Sequence, residues 1–347
     1  MTTTLFIFPK VIWNHIIDLI STSDIRSLFM ASYKFKHILN ESNWKRFFLE
    51  ERKYDIAVVR CNSKRIDGFW KHAYSSYVSI DTIEGMFTHI GADSTADTYF
   101  FYKVFLKIKQ YNIDTNISKT FNQNVHSVEI IGDNSELSGC QINLVTDSYL
   151  SIKRIKMYCS ISCSANKVYI DNCYVSPGKH IEINSTECLT VSNSTFWYSQ
   201  LYIKCNSNIL ICTITDNHFD DYKLRFVGDC TESSIINIIS NIFVDDMFGD
   251  EISIDSKLLY NEFDHGTFVS IAPAAGTRSD RVFENNSIAH IYACLDICRP
   301  DVNYVFRNNY FKEVQTLANS NTDHIKLNKC NTFQDCGIEI TNLIDQS

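Results

Sequence analysis

The chain has 347 residues, of which 45% are hydrophobic and 21% are charged, as in a folded protein. Its formal net charge of −8 disfavours a phosphate-binding surface, so we expect no nucleic-acid partner. The 4 prolines and 11 glycines are too few for long disordered linkers. No apolar run is long enough for a membrane span, so we expect no membrane association.

The chain contains 13 cysteines, and no secretory signal pattern precedes them. Because disulfides persist mainly in oxidising compartments, this combination predicts reduced thiols in a cytoplasmic or nuclear protein. The spacings Cys159/Cys163 and Cys294/Cys298 do not match the paired gaps of zinc ribbons. We therefore expect no metal site and no cofactor.

Residues 5–50 predict a small helical domain. Pro9 suits a first helical turn, and the apolar residues that follow it recur at helical spacing. Residues 21–24 supply N-cap side chains for a second helix. Trp44 belongs to a third hydrophobic group, which completes a three-helix core.

This segment resembles an F-box, the module by which substrate receptors dock on the Skp-type adaptor of cullin-based ubiquitin ligases. The family begins with Leu-Pro-x-Glu and continues to an Asp-Leu pair. Phe8-Pro9 and Asp24-Ile25 occupy those positions at the matching distance, while Val11 replaces the glutamate. The resemblance implies a helix-in-groove contact with the adaptor and, through the adaptor, with a cullin. The adaptor-binding residues would be Phe8, Pro9, Ile12, Ile16, Ile25, Leu28, Phe35 and Trp44.

Residues 51–126 predict a helical linker followed by a cap. The aromatic-rich stretch 94–110 is compatible with either a helix or a strand. A solenoid needs its first turn covered, and this stretch is the candidate cover.

From residue 127 to 347 a short phrase recurs, in which an asparagine precedes an aromatic or aliphatic residue. Successive asparagines are 20 to 25 residues apart, a period typical of stacked structural repeats. The markers are Asn172, Asn193, Asn217, Asn241, Asn261, Asn286, Asn309 and Asn331.

Two series of short strands accompany the phrase, one before it, as in Leu189-Thr190-Val191, and one after it, as in Leu201-Tyr202-Ile203. Each unit thus contains at least two strands and too few residues for a helix as well. This pattern predicts a right-handed parallel β-helix, with an internal aromatic stack and asparagines that bond the backbone and one another at a turn. The region resembles the pectin-lyase-like superfamily. The whole chain resembles the F-box plus β-helix receptors, which are known also from giant viruses of amoebae.

A leucine-rich-repeat solenoid is the alternative fold, because its period overlaps. It requires frequent leucines and an irregular or helical return segment. Here leucine is uncommon and the return segment alternates like a strand, which favours the β-helix within an α+β multidomain chain.

Acidic residues follow the phrase in three successive repeats, and they are the candidates for a substrate or metal ridge: Asp220, Asp221, Asp245, Asp246 and Asp264. Paired carboxylates serve in glycoside hydrolysis, but aspartate is also a common turn residue. The Arg154-Ile155-Lys156 sequence lies upstream of all these acids, in the wrong order for a hydrolase of this superfamily. We expect no catalytic residues.

Two functions follow. In the first, the protein is the substrate receptor of a Skp–cullin–F-box ligase, and the β-helix binds a protein target. In the second, it is a carbohydrate-active β-helix enzyme, a polysaccharide lyase or hydrolase. The predicted cytoplasmic or nuclear location favours the first.

Overall fold

The computed structural model describes five N-terminal residues and most of the chain from residue 77 onward. The described residues are 16, 19, 42, 43, 46, 77–80, 100–106, 110–113, 116–120, 125–205, 211–221, 223–227, 235–244, 247–250, 256–264, 267–270, 279–291, 293–295, 302–318, 325–327 and 330–337. The five N-terminal residues are helical, and the rest form strands and their corners.

Most strands have two to six residues, and four long ones have 10 to 15. The first ten are β1 (Tyr77–Ile80), β2 (Phe100–Phe105), β3 (Gln110–Ile113), β4 (Ile117–Thr120), β5 (Val125–Gly139), β6 (Ile142–Val145), β7 (Tyr149–Tyr158), β8 (Ile161–Asp171), β9 (Tyr174–Val175) and β10 (His180–Ser192). The next ten are β11 (Thr195–Trp197), β12 (Gln200–Cys205), β13 (Ile211–Thr215), β14 (His218–Asp220), β15 (Lys223–Val227), β16 (Ile235–Ile239), β17 (Ile242–Val244), β18 (Met247–Asp250), β19 (Ser256–Leu259) and β20 (Glu262–Asp264). The last are β21 (Thr267–Ser270), β22 (Ser279–Glu284), β23 (Ser287–Ala289), β24 (Ala293–Leu295), β25 (Val302–Arg307), β26 (Tyr310–Lys312), β27 (Thr316–Ala318), β28 (Ile325–Leu327) and β29 (Thr332–Gln334).

These strands form three faces, and every pairing between turns is parallel. Face A contains β1, β2, β5, β7, β8, β10, β13, β16, β19, β22, β25 and β28, each paired with the next. Face B contains β3, β5, β7, β9, β11, β14, β17, β20, β23, β26 and β29. Face C contains β4, β6, β8, β10, β12, β15, β18, β21, β24 and β27. Strands β5, β7, β8 and β10 bend around a corner and serve two faces each.

The described part of the chain is therefore a parallel β-solenoid, as the repeat predicts. Each turn holds three strands, one more than the two series seen in the sequence, because the phrase itself forms the short strand of face B. The leucine-rich-repeat alternative is wrong, since the described return segments are strands paired from turn to turn. Among the described strands, parallel pairing is already present between β1 and β2, within residues 51–126.

The interior contains the predicted aromatic stack. On face B a stack of four rings contains Phe196, Phe219, Phe243 and Phe263. The ring centroids of neighbouring turns are 4.9 Å apart, and their planes are 9 to 16° apart. All four are at most 3% exposed. Mostly aliphatic side chains fill the inner sides of faces A and C, together with the stacked Phe283 and Phe306 on face A and Phe226 on face C. Burial of apolar surface thus stabilises the turns.

A second internal row runs along the corner between faces A and B, and it is polar. The Oδ1 atom of Asn241 accepts hydrogen bonds from the backbone N–H and the Nδ2 group of Asn217, both at 3.0 Å. The same arrangement recurs from Asn241 to Asn261, Asn286, Asn309 and Asn331. This confirms the predicted asparagine ladder.

The first two markers chosen from sequence are off by one position. The ladder continues through Ser194 and Cys173 instead of Asn193 and Asn172. Ser194 Oγ accepts a hydrogen bond from the N–H of Cys173 at 3.0 Å. Asn217 Oδ1 accepts one from the N–H of Ser194 at 2.9 Å. Asn172 and Asn193 instead have φ of 51° and 49°. That left-handed conformation is one that asparagine tolerates well, so the same residue type suits both neighbouring positions.

Candidate functional site

The predicted adaptor-binding residues lie almost entirely outside the described residues: Phe8, Pro9, Ile12, Ile25, Leu28, Phe35 and Trp44 are not described. Ile16 is helical and half-buried. Leu19, on the same predicted helix, is 86% exposed. The adaptor site therefore remains a prediction from sequence.

The acidic candidates that the structure describes lie where face B meets face C, which we call the BC corner. Asp220 is the last residue of β14, and Asp264 is the last residue of β20, two turns later. Both belong to one outward row, with Val244 between them. Asp221 forms the corner itself, with φ of 46°. Asp245 and Asp246 lie outside the described residues.

The same outward row begins with an exposed aromatic residue. Trp197 is in register with Asp220, and Tyr198 follows it at the corner with φ of 46°. Their side chains are 42% and 51% exposed. The ring centroids are 5.7 Å apart and the ring planes 69° apart, so the two rings meet edge to face.

A second aromatic pair lies on face B in the preceding turns. The Tyr158 and Tyr174 rings are 6.2 Å apart. Burial raises the pKa of Tyr174, and the neighbouring Tyr158 adds to that rise. Sequence reasoning missed both pairs. The available signal was the aromatic residue directly after the inward Phe196, because alternate residues of a strand point to opposite faces.

A histidine bridges two carboxylates further along the BC corner. His290 Nδ1 is 2.6 Å from Asp264 Oδ1, and its Nε2 is 3.8 Å from Glu313 Oε1. Each of these side chains is about one-third to one-half exposed. Asp264 is thus engaged with a neighbouring turn, whereas Asp220 and Asp221 have no hydrogen bond or ion pair from their carboxylates to any described residue.

The backbone spacing of Asp220 and Asp264 is wider than a retaining glycosidase pair requires. Retaining enzymes hold their two carboxylates about 5 Å apart, and inverting enzymes hold them about 6.5–9.5 Å apart. The backbones of Asp220 and Asp264 are two strand spacings apart, about 10 Å. Within the described ranges, no three His, Cys, Asp or Glu side chains are placed to hold a metal ion together.

Several cysteines lie in the solenoid interior as free thiols. Burial raises the pKa of Cys159 to about 11 and those of Cys163 and Cys173 to about 12. Cys173 Sγ donates to the carbonyl of Ile152 at 3.6 Å. All three side chains are buried in the apolar core, where a free cysteine packs as a small hydrophobic residue.

Comparison with protein-family models, curated proteins and solved structures gives no match to this chain. In the part of the chain that the structure describes, no helix has the length and apolarity needed to cross a membrane.

Proposed function

We propose that this protein is a substrate receptor of a Skp–cullin–F-box ubiquitin ligase. In this proposal residues 5–50 dock on the Skp-type adaptor and the solenoid binds the protein to be ubiquitinated. The observation that supports it is the Phe8-Pro9 and Asp24-Ile25 spacing, in a chain that continues into a long parallel solenoid.

The solenoid suits the binding half of this role. Its ladder and aromatic stack repeat from turn to turn, so the outward residues are free to differ. Outward rows that vary along a rigid scaffold are what a recognition surface requires. Such a receptor performs no bond chemistry and acts by raising the local concentration of its target at the ligase.

We also propose that the coil is right-handed and of the pectin-lyase-like kind. Nearly all connections between parallel strands of one sheet are right-handed, because twisted strands return onto the sheet only in that sense. The three-strand turn with a corner ladder suits this assignment.

Binding to a purified Skp-type adaptor tests the receptor proposal. The full chain should bind in a calorimetric titration, and the double variant Pro9→Ala/Ile12→Asp should lose binding. The matched control is Ile242→Asp, because Ile242 is an isoleucine on the solenoid surface, 38% exposed. Absence of binding by the unaltered chain, or equal loss in the control, contradicts the proposal.

The carbohydrate-active alternative has one observation in its favour, the shared row of Asp220 and Asp264. It requires that the protein turn over a polysaccharide such as polygalacturonate and that Asp220→Ala abolish the turnover. Turnover that survives Asp220→Ala would show that Asp220 is not a catalytic carboxylate.

A further inference from the structure

We propose that Trp197, Tyr198, Asp220 and Asp221, here called the Trp197 patch, bind a cationic extended segment of a partner protein. An arginine or lysine side chain would stack on Trp197 and pair with Asp220. This inference rests on the proposed function, because it assigns the solenoid surface that holds the target.

The fold does not require aromatic residues at these positions. The outward row that starts at Trp197 continues through Asp220, Val244, Asp264, Ala289, Lys312 and Gln334. The corner position of Tyr198 is taken in other turns by Asp221, His290, Glu313 and Asp335, all with positive φ. Small, charged and amide side chains therefore fit the same backbone, and the two exposed rings need another explanation.

Exposed tryptophan and tyrosine are the residue types that contribute most to protein interfaces. Trp197 and Tyr198 leave about half of their surface to solvent. Neither the indole N–H nor the phenol hydroxyl bonds a described residue. Both rings thus combine apolar surface with an available polar group.

The charge beside the rings favours a cation. Asp220 is on the strand next to Trp197, about 4.8 Å away along the solenoid axis. Its carboxylate and that of Asp221 are unpaired among the described side chains. A guanidinium or ammonium group over an aromatic face with a carboxylate at its edge gains from both contacts.

The charge favours a protein segment over a sugar. A neutral pyranose gains no charge pairing from Asp220 and Asp221, whereas an arginine or lysine gains from the ring and from the carboxylates. The planes of Trp197 and Tyr198 are 69° apart. They form an angled corner suited to a narrow side chain. An extended peptide places alternate side chains about 7 Å apart on one face, and so a basic residue at every second position can reach both Trp197 and the aspartates.

The experiment measures binding of fluorescein-labelled peptides to the full-length protein by anisotropy. The probe is a nine-residue peptide of alternating arginine and serine, compared with a glutamate/serine peptide of equal length and with cellohexaose. The arginine peptide should bind, and raising the salt from 50 to 500 mM should weaken it, because exposed ion pairs are screened. The glutamate peptide should not bind.

The variants separate the two contacts. Trp197→Leu keeps apolar bulk but removes the ring, and it should weaken binding about threefold to tenfold, whereas Trp197→Phe should lose less. Asp220→Asn/Asp221→Asn should weaken binding by a similar factor and reduce the salt dependence. One control is Tyr260→Ala, which removes a 62% exposed ring at the corner between faces A and B. The other is Asp147→Asn/Asp335→Asn, which removes one exposed charge after β6 and one at the BC corner five turns beyond Asp221.

Equal weakening by the controls would mean general attraction to an acidic protein and would overturn the proposal. So would failure of the arginine peptide to bind, or binding of cellohexaose that Trp197→Leu abolishes. Adaptor titrations on the same variants keep the two proposals apart. Adaptor binding without peptide binding overturns the Trp197 patch alone, and peptide binding without adaptor binding supports the patch while removing the receptor role.

Discussion

Replacing Asn241 by alanine should destabilise the solenoid by about 3 kcal/mol. Asn241 is 1% exposed. Its Nδ2 group donates to the carbonyls of Ile214 and Ile239 at 2.9 and 3.0 Å. Its Oδ1 atom is the acceptor of the Asn217 N–H.

The magnitude follows from what each partner retains. Ile239 O still accepts from the N–H of Asp216 at 3.2 Å, and Asn217 Nδ2 still donates to two carbonyls. The Asn217 N–H, however, loses its acceptor in a buried corner, and a buried unsatisfied group costs about 1–3 kcal/mol. The carbonyl of Ile214 loses the hydrogen bond from Asn241 Nδ2, which adds roughly 1 kcal/mol to the loss of unfolding free energy.

The chain itself supplies the conservative substitution. Ser194 occupies the ladder two turns earlier, where its Oγ accepts from Cys173 N–H at 3.0 Å and donates to Ser192 O at 2.7 Å. Asn241→Ser should therefore keep the Asn217 N–H satisfied and cost about 1 kcal/mol. Asn331→Ala is the matched control, because Asn331 is half-exposed and water can replace its bonds.

Urea unfolding followed by circular dichroism measures these differences, provided that the slope of the free energy with urea is unchanged. The expected order of destabilisation is Asn241→Ala, then Asn241→Ser and Asn331→Ala. If serine is as costly as alanine at 241, or if Asn331→Ala matches Asn241→Ala, the ladder does not stabilise the corner by satisfying buried groups.

Four further outcomes are expected. Phe219→Ala should lower the free energy of unfolding by about 3–5 kcal/mol, because the Phe219 ring is fully buried between two stacked neighbours. Phe219→Leu should cost less than half of that, and equal losses would contradict the stack. Native Cys163 should resist alkylation at pH 8 while the exposed Cys330 reacts, as peptide mapping can show. Folding raises the pKa of the Cys163 thiol to about 12. The contribution of this buried thiol to the free energy of unfolding is therefore complete below the ordinary thiol pKa of about 8.5, and it is lost as the pH rises toward 12. Gly139→Ala should lower the melting temperature more than Gly178→Ala. A Cβ at Gly139 would lie 2.2 Å from a carbonyl oxygen, whereas a Cβ at Gly178 would face open space. Both glycines have positive φ, so equal effects would assign the cost to backbone conformation alone.

The repeat and its internal rows were predictable because each is enforced by identical neighbours. A buried amide needs a partner one turn away, and a ring packs well on another ring, so Asn241 and Phe243 recur with Asn261 and Phe263. Ile288 interrupts the rings in the next turn. The period then identifies the solenoid. The third strand was not predictable, since β11 and its equivalents have only three residues, too few to show an alternating pattern.

In the first turns of the ladder, the sequence could not show which of two adjacent residues makes the contact. Asparagine suits both the left-handed residue and the ladder residue that follows it, so Asn193 matched the pattern while Ser194 made the contact. Only the hydrogen bonds between turns distinguish the two positions.

The amino-acid sequence by itself determined a parallel solenoid, its asparagine ladder and its aromatic interior, because those features depend on contacts that most turns repeat. The tertiary structure alone decided which outward residues meet. Turns of unequal length bring Trp197 into register with Asp220 and separate Asp220 from Asp264 by Val244. Neighbours across turns are set by the loop lengths between strands and not by local pattern, so the Trp197 patch emerges only when the turns are stacked.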